Sequence, residues 1–206
     1  KTPPSEQGLR LSKKNLGDTG TVILSKQLPQ HNESALFLAH NQIGDTGTIA
    51  LSKALHHHQH IRHLILSHNH ITDFAAAALA DMLKVNRFIG WLVLNSNQIG
   101  NTGAIQLAEG IKVNSSIKHI ILADNQINST GASAIIESVR GKPHIQSLFL
   151  QGNPIDNTCL PQVKETIENP NCKLKLIDLR DTLISDSSEL KEIQSIASKK
   201  HVRILC

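Results

Sequence analysis

The stretch Leu92-Val-Leu-Asn-Ser-Asn97-Gln-Ile99-Gly-Asn-Thr-Gly103 decides the fold, because close copies of it recur along the chain. Five copies carry an asparagine at the same position, and successive asparagines are 28 residues apart. A fixed period of roughly 20–50 residues is typical of solenoids, in which each unit buries its apolar face against its neighbours. These asparagines are Asn41, Asn69, Asn97, Asn125 and Asn153.

Weaker copies flank the five. Leu9 to Gly20 has Lys14 in place of the asparagine, and Ile177 to Ile184 has Thr182 there. His201 to Cys206 begins what reads as one more strand. Because the terminal units of a solenoid are atypical, we expect about seven repeats of 27–29 residues.

Each element of the repeat has a physical cause. Leu92 and Leu94 alternate with period two, which predicts a short strand with one face in the core. The amide of Asn97 can bond the backbone groups that a bent strand end leaves unpaired. Leu107 and Ile111 then follow at the i, i+4 spacing of an amphipathic helix.

Small and capping residues mark the start of each predicted helix. Glycine recurs at one position, as in Gly47 and Gly103, and three repeats replace it with Ala75, Cys159 and Ser188, where we expect altered local helix geometry. Candidate N-caps stand shortly before the glycine position, where a side-chain oxygen can accept from a free backbone N–H. They are Asp45, Asp73 and Asn101.

These residues resemble the ribonuclease-inhibitor type of leucine-rich repeat (LRR), LxxLxLxxNxLxxxGxxxLxxxL, over roughly Glu6 to Cys206. The resemblance implies an α/β solenoid, a right-handed β-α horseshoe with a parallel concave sheet and helices on the convex face. We expect a single LRR domain over residues 1–206. Within it, 1–8 form an N-terminal edge that is truncated or processed, 9–184 the repeats, and 185–206 a C-terminal helix and capping strand.

The composition of the repeats resembles a second group of proteins. Blocks such as Asn41-Gln-Ile-Gly-Asp-Thr-Gly47 and the abundance of Asn, Gln, His, Ile and Lys are similar to LRR effectors that intracellular bacterial pathogens deliver into host cells. That resemblance implies secretion into the host cytosol and a partner that is a host protein or another effector. The alternative is a eukaryotic cytosolic LRR protein, or a fragment of a larger one.

Candidate binding residues follow from the strand alternation, because residues flanking the core leucines point out of the concave face. The central column is apolar in five successive repeats, and the single Trp lies beside its middle. Contiguous exposed apolar surface with a polar rim is the usual mark of an interaction site, and Trp is a frequent hot-spot residue. The candidates are Phe37, His63, Ile65, Trp91, Val93, Asn95, His119, Ile121, Phe149, Gln151, Asp178 and Arg180.

Charged groups at the two ends of the array are expected to form the rim and to steer encounter. Arg10 and Lys13 stand at one end, and Asp178, Arg180 and Asp181 at the other. The competing interpretation of the column is that β-branched and aromatic residues simply suit strands and cover one another on a curved sheet.

The sequence argues against catalysis and against metal binding. The cluster His56-His57-His58-Gln59-His60 falls at a helix end, where adjacent histidines rarely converge on a metal. His40 and His68 share a repeat position and should stack at the rim. Cys159 takes the packed glycine position, so a buried, inert thiol is expected. We therefore predict no enzyme activity, no catalytic residue, no metal and no cofactor.

Bulk properties exclude other classes of partner. The charge of +4, the scattered Lys and Arg and an aromatic content of 2% do not describe a nucleic-acid surface. No apolar run approaches the roughly 20 residues that span a bilayer, so no membrane partner is expected. Three cysteines without paired spacing favour a reduced, intracellular protein.

The resulting expectation is a monomeric protein-binding LRR module that recognises a partner protein through its concave face. The family resemblance implies that the partner can be an enzyme that it inhibits or regulates. The alternative is the substrate-recognition arm or adaptor of a larger enzyme or ubiquitin-ligase complex.

Overall fold

A computed structural model describes residues 8–206 of the chain, so the N-terminal edge expected over 1–8 lies, apart from Gly8, outside the described residues. Short strands and helices alternate along the chain. The strands are β1 (Gly8–Arg10), β2 (Ala35–Phe37), β3 (His63–Ile65), β4 (Trp91–Val93), β5 (His119–Ile121), β6 (Ser147–Phe149), β7 (Leu176–Asp178) and β8 (Arg203–Leu205). The α-helices are α1 (Gly17–Gln27), α2 (Asp45–Leu55), α3 (Asp73–Val85), α4 (Asn101–Val113), α5 (Ser129–Val139), α6 (Leu160–Glu168) and α7 (Ser188–Lys199).

The strands form one parallel sheet of eight strands in chain order, from β1 to β8. Each residue pairs with its repeat equivalent, so Leu64 lies between Leu36 and Leu92. Each helix packs on the helices before and after it, which forms a second layer behind the sheet. The solenoid predicted from the repeat is confirmed, and the additional strand expected near the C-terminus is β8.

The core lies between the two layers and runs continuously through the repeats. Leu92 and Leu94 of one strand are buried, as are Leu107 and Ile111 of the helix that follows it. Because the same positions are apolar in every repeat, each unit buries its leucines against two neighbours. A buried Leu side chain contributes on the order of 1.5–3 kcal/mol relative to an exposed one.

The asparagine ladder forms as the sequence predicts. Asn97 Nδ2 donates to the carbonyl of Leu94 at 2.9 Å and to that of Leu66 in the preceding repeat at 3.1 Å. Its Oδ1 accepts from the backbone N–H of Ile71 at 3.1 Å. One buried amide therefore satisfies strand ends in two repeats, which fixes the register between them.

The expectation that Asp45, Asp73 and Asn101 are N-caps is wrong, because each is the first residue inside its helix. Their side chains instead reach the next repeat. Asp73 Oδ1 accepts from Gly100 N at 2.6 Å, just ahead of α4. Equivalent bonds join Thr72 N to Asp45 Oδ1 at 2.9 Å and Asn128 N to Asn101 Oδ1 at 2.9 Å.

This inter-repeat contact explains the repeated glycine. A Cβ added at Gly103 would lie 2.5 Å from Asp73 Oδ1 and 2.9 Å from the Cβ of Ala76. The glycine therefore leaves room for the acidic side chain of the preceding repeat.

The altered helix start expected where the glycine is replaced is found in the repeat with Cys159, where a 3-10 turn over Asn157–Cys159 precedes α6. Ser188 is itself the first residue of α7. At Ala75 the expectation is wrong, because α3 begins two residues before Ala75 as α2 and α4 begin two residues before Gly47 and Gly103.

Candidate protein-interaction surface

The sheet has one face against the helices and one open face, which carries the strand residues that flank the buried leucines. Five of them form the central stripe, defined as Phe37, Ile65, Val93, Ile121 and Phe149. Ladder pairing brings these side chains into register on neighbouring strands. Ile65 is 9% exposed and the other four are half-buried. The stripe is therefore a continuous apolar surface of which only part of each side chain reaches solvent.

Trp91 lies beside the stripe, packed between two histidines. Its ring centroid is 3.7 Å from that of His119 with the planes 29° apart, and 5.8 Å from that of His63. His119 Nδ1 is 2.5 Å from Ser147 Oγ, which holds the imidazole in place. His63 is only 6% exposed, so it packs near the indole and presents little surface to solvent.

The half-buried position of His119 lowers its pKa to about 4, and Lys118, His63 and Lys175 add to the effect in that order. Burial disfavours the imidazolium, and nearby positive charges disfavour it further. The ring stacked on Trp91 is therefore neutral at physiological pH.

A groove with a volume of about 700 Å³ follows the stripe across β2 to β8. Its floor is apolar and its margins are polar, which is the usual anatomy of a recognition surface. It is lined by Phe37, Ile65, Trp91, Val93, Asn95, His119, Ile121, Ala123, Asp124, Gln146, Ser147, Phe149, Gln151, Lys175, Leu176 and Arg203.

The charged ends of the stripe differ from each other. At one end the guanidinium of Arg10 lies 4.6 Å from the ring centroid of Phe37, a cation–π contact. At the other end Asp178 is 1% exposed and accepts from Arg180 Nε at 2.9 Å and Nη2 at 2.6 Å. Because this pair neutralises Asp178, the group that faces solvent there is the exposed guanidinium of Arg180.

Sequence reasoning missed a basic edge beside the groove. Lys118 and Lys175 directly precede β5 and β7, and Arg203 begins β8. All three are exposed, and within residues 8–206 none of them forms an ion pair. The signal that could have found this edge is a cation at the residue before a strand, which recurs at Arg62, Lys118 and Lys175.

Two further features also escaped the sequence analysis. A second amide ladder links the helix ends, where Asn114 Nδ2 donates to Leu83 and Asn86 carbonyls at 2.8 and 2.9 Å. Its signal was the spacing of 28 residues between Asn86 and Asn114. Phe74 is 80% exposed at the start of α3, in a position that other repeats fill with threonine.

The histidines fall into separate structural roles. His40 and His68 stack with ring centroids 4.1 Å apart, as their shared repeat position predicts. His58 is buried, its Nε2 lying 3.1 Å from the Leu28 carbonyl oxygen. Across the part of the chain that the structure describes, no three His, Cys, Asp or Glu side chains converge as a metal site.

The thiol of Cys159 has the surroundings expected of a structural residue. It is fully buried, and burial is the main cause that raises its pKa to about 12. A thiolate is therefore disfavoured at this helix start, which removes the nucleophilic form. Among the described residues, no helix is long and apolar enough to cross a membrane.

Comparisons with known proteins agree with the fold. A family described as "Leucine Rich repeat" matches residues 35–52, 57–80, 91–108 and 113–135. No curated protein matches the sequence significantly.

Two solved structures share the architecture. An internalin from Listeria monocytogenes str. 4b F2365 has 16% sequence identity and a TM-score of 0.52, with 89% of this chain and 49% of the internalin covered. This chain thus spans about half the length of that protein. The actin-binding site 2 segment of leiomodin-1 has 16% identity and a TM-score of 0.52, with 88% of this chain and 85% of that one covered. The fold of the chain is therefore a leucine-rich-repeat solenoid, and four segments within residues 35–135 match the leucine-rich-repeat family.

Proposed function

We propose that this protein binds a partner protein across the open face of its sheet. The observation that carries the proposal is the central stripe with Trp91 beside it, an apolar surface that lines the open groove and, apart from the buried Ile65, is partly exposed. Water-exposed apolar side chains lower the free energy of association when a partner covers them.

The contrast between columns supports a binding role over simple strand preference. In the central column Val93 and Ile121 are apolar, whereas the column after it places Asn95 and Gln151 at the margin. Strand preference alone would make the column before the stripe β-branched or aromatic as well, yet that column, which also lies within the strands, has Ala35, His63, His119 and Ser147 around Trp91. An apolar centre within a polar margin is the pattern of a hot spot shielded from water.

We also propose a more specific role for the protein, as a secreted effector. The resemblance to ribonuclease-inhibitor repeats and to bacterial LRR effectors supports a secreted effector that occludes or regulates a host enzyme, acting without catalysis of its own. A groove with a rigid floor suits occlusion, because hydrogen-bonded ladders between repeats leave little conformational entropy to lose on binding.

The test is affinity capture from host-cell lysate with wild-type protein and a Trp91→Ala/Phe149→Ala variant. Purified actin is one defined probe, because the structurally similar leiomodin-1 segment is named for binding actin. The matched control is Ile23→Ala/Val113→Ala, which removes two apolar side chains that are exposed on helices, 54% and 55% respectively.

A partner retained by wild type and by the control, and lost by the open-face variant, supports the proposal. An activity assay of that partner then separates an inhibitor from a scaffold. Equal retention by all three proteins would move the function to another surface and refute the proposal.

A further inference from the structure

The groove is electrically asymmetric across its width. The edge where strands begin carries Lys118, Lys175 and Arg203, exposed and without ion-pair partners among the described side chains. Lys118 and Lys175 act on the groove itself, since both disfavour the charged form of His119 on its wall. Unpaired cations beside a low-dielectric floor raise the local positive potential.

The opposite edge, where strands end, does not balance this charge. Among the residues that line the groove, Asp124 is the acidic one. Two other carboxylates stand near this edge. Asp178 is buried and already bonded to Arg180, whereas Asp181 is exposed, acts on the same guanidinium and does not line the groove. A segment lying in the groove therefore meets positive potential along the edge where strands begin.

We infer that the groove receives an acidic segment of a partner protein, in which apolar side chains cover the central stripe and flanking Asp or Glu residues meet Lys118, Lys175 and Arg203. The inference rests on the proposed function, since it names the chemistry of the partner at the same surface. Charge complementarity of this kind speeds encounter and fixes the register of the bound segment.

Nucleic acid is the other polyanion that a basic edge could attract, and the aromatic geometry disfavours it. Single-stranded nucleic acid binds by stacking bases on exposed aromatic faces. One face of the Trp91 indole is already covered by His119 at 3.7 Å between ring centroids, and His63 packs near it. The half-buried Phe37 and Phe149 stand four strands apart, too far for successive bases to stack on both.

The experiment uses three pools of short fluorescent peptides with the same randomised apolar core, flanked by Glu, by Lys, or by Ser and Gln. A labelled oligothymidylate is the nucleic-acid probe. Binding to the wild-type protein is measured by anisotropy at physiological salt and again at high salt.

Two pairs of substitutions separate charge at the groove from charge elsewhere. Lys118→Glu/Lys175→Glu reverses the basic edge, and Lys26→Glu/Lys53→Glu reverses two exposed lysines at the ends of α1 and α2 with the same change in net charge. Asp124→Asn removes the opposing carboxylate and keeps a residue type that tolerates the positive φ of 52° found there. Circular dichroism confirms that each variant is folded.

We expect wild type to prefer the Glu-flanked pool by about tenfold or more, with salt weakening the binding. Lys118→Glu/Lys175→Glu should abolish that preference or turn it toward the Lys-flanked pool. The Lys26→Glu/Lys53→Glu control should keep the preference, and Asp124→Asn should strengthen it.

A failure of this inference can be distinguished from a failure of the proposed function. Equal binding of all three pools, lost in Trp91→Ala/Phe149→Ala, would overturn the acidic-segment inference and leave the proposed function standing. Tighter binding of the oligothymidylate would overturn it in favour of nucleic acid. Binding of no pool would also overturn it, and the capture experiment would then decide the proposed function separately.

Discussion

The indole of Trp91 lies stacked on the imidazole of His119, with ring centroids 3.7 Å apart and planes 29° from parallel. The histidine also contacts Ser147 Oγ at 2.5 Å, so its ring is held from both sides. Since burial and nearby cations lower its pKa to about 4, the contact is between two neutral rings at physiological pH.

This depressed pKa predicts an acid-dependent loss of stability. An unfolded chain takes up a proton at this histidine near pH 6.5, whereas the folded protein does so only near pH 4. The unfolded state thus binds more protons between these values, so the free energy of unfolding falls as pH drops from about 6.5 to about 4 and levels below. Because the ring is partly solvated, we expect a loss on the order of 1–3 kcal/mol.

Urea unfolding at a series of pH values measures this slope, with His119→Gln as the control that lacks the titrating group. Trp91 fluorescence of the folded protein should show quenching with a midpoint near pH 4, as the adjacent imidazolium forms. A midpoint near pH 6.5, or the same slope in His119→Gln, would show that the ring is solvated in solution.

A second prediction concerns the close approach of Asp73 to Gly103. Gly103→Ala would place a Cβ 2.5 Å from Asp73 Oδ1, so either the carboxylate or α4 must shift. Alanine favours a helix by about 0.5–1 kcal/mol over glycine, and the steric cost should exceed this gain. We expect a net destabilisation of about 1–2 kcal/mol by chemical denaturation.

A double-mutant cycle isolates the contact. Asp73→Ala alone loses the bond to Gly100 N at 2.6 Å, and Asp73→Ala combined with Gly103→Ala should cost less than the sum of the two. Strict additivity would mean that the carboxylate does not impose the glycine. In the repeat with Ala75, Asp45 makes the equivalent bond to Thr72 N and also accepts from Thr72 Oγ1 at 2.6 Å, so an alanine is accommodated where a second bond holds the carboxylate.

A third prediction separates the core from the open face on a single strand. Leu94 is fully buried just after β4, so Leu94→Ala should cost about 2–5 kcal/mol. Trp91→Ala, at a half-buried position three residues earlier, should reduce stability far less while weakening partner binding. Thermal unfolding of both variants is the measurement, and equal losses would contradict the assignment of faces.

Much of the fold could be predicted because the same sequence pattern recurs in each repeat and each of its elements has a local structural meaning. The alternation of Leu92 and Leu94 and the period of Asn97 each have a direct structural counterpart, so the strand, the ladder and the layer order follow from them. The role of Asp73 could not be predicted in the same way. Its acceptor function depends on the distance between two helices, which local capping rules do not contain.

The site was harder to predict than the fold for a similar reason. The columns of the open face follow from strand alternation, yet burial differs within a column, as the 1% exposure of Asp178 shows. The basic edge was missed because Lys118 and Lys175 precede their strands and so lie outside the strand columns from which the candidate residues were taken. Their grouping with Arg203 depends on the pairing of β8 with β7, and a partial terminal repeat does not establish that pairing from sequence.

Phe74 supplies the last prediction. Its side chain is 80% exposed on the second residue of α3, where Thr46 and Thr102 stand in neighbouring repeats. Because the ring buries little surface and Phe and Thr have similar helix propensities, Phe74→Thr should change the free energy of unfolding by less than about 0.5 kcal/mol. Phe88→Thr is the contrasting variant and should cost more, since that ring is partly buried with the Arg62 guanidinium 5.6 Å from its centroid. Chemical denaturation at two protein concentrations measures both, and a loss above about 1 kcal/mol for Phe74→Thr that grows with concentration would show that Phe74 is covered by self-association.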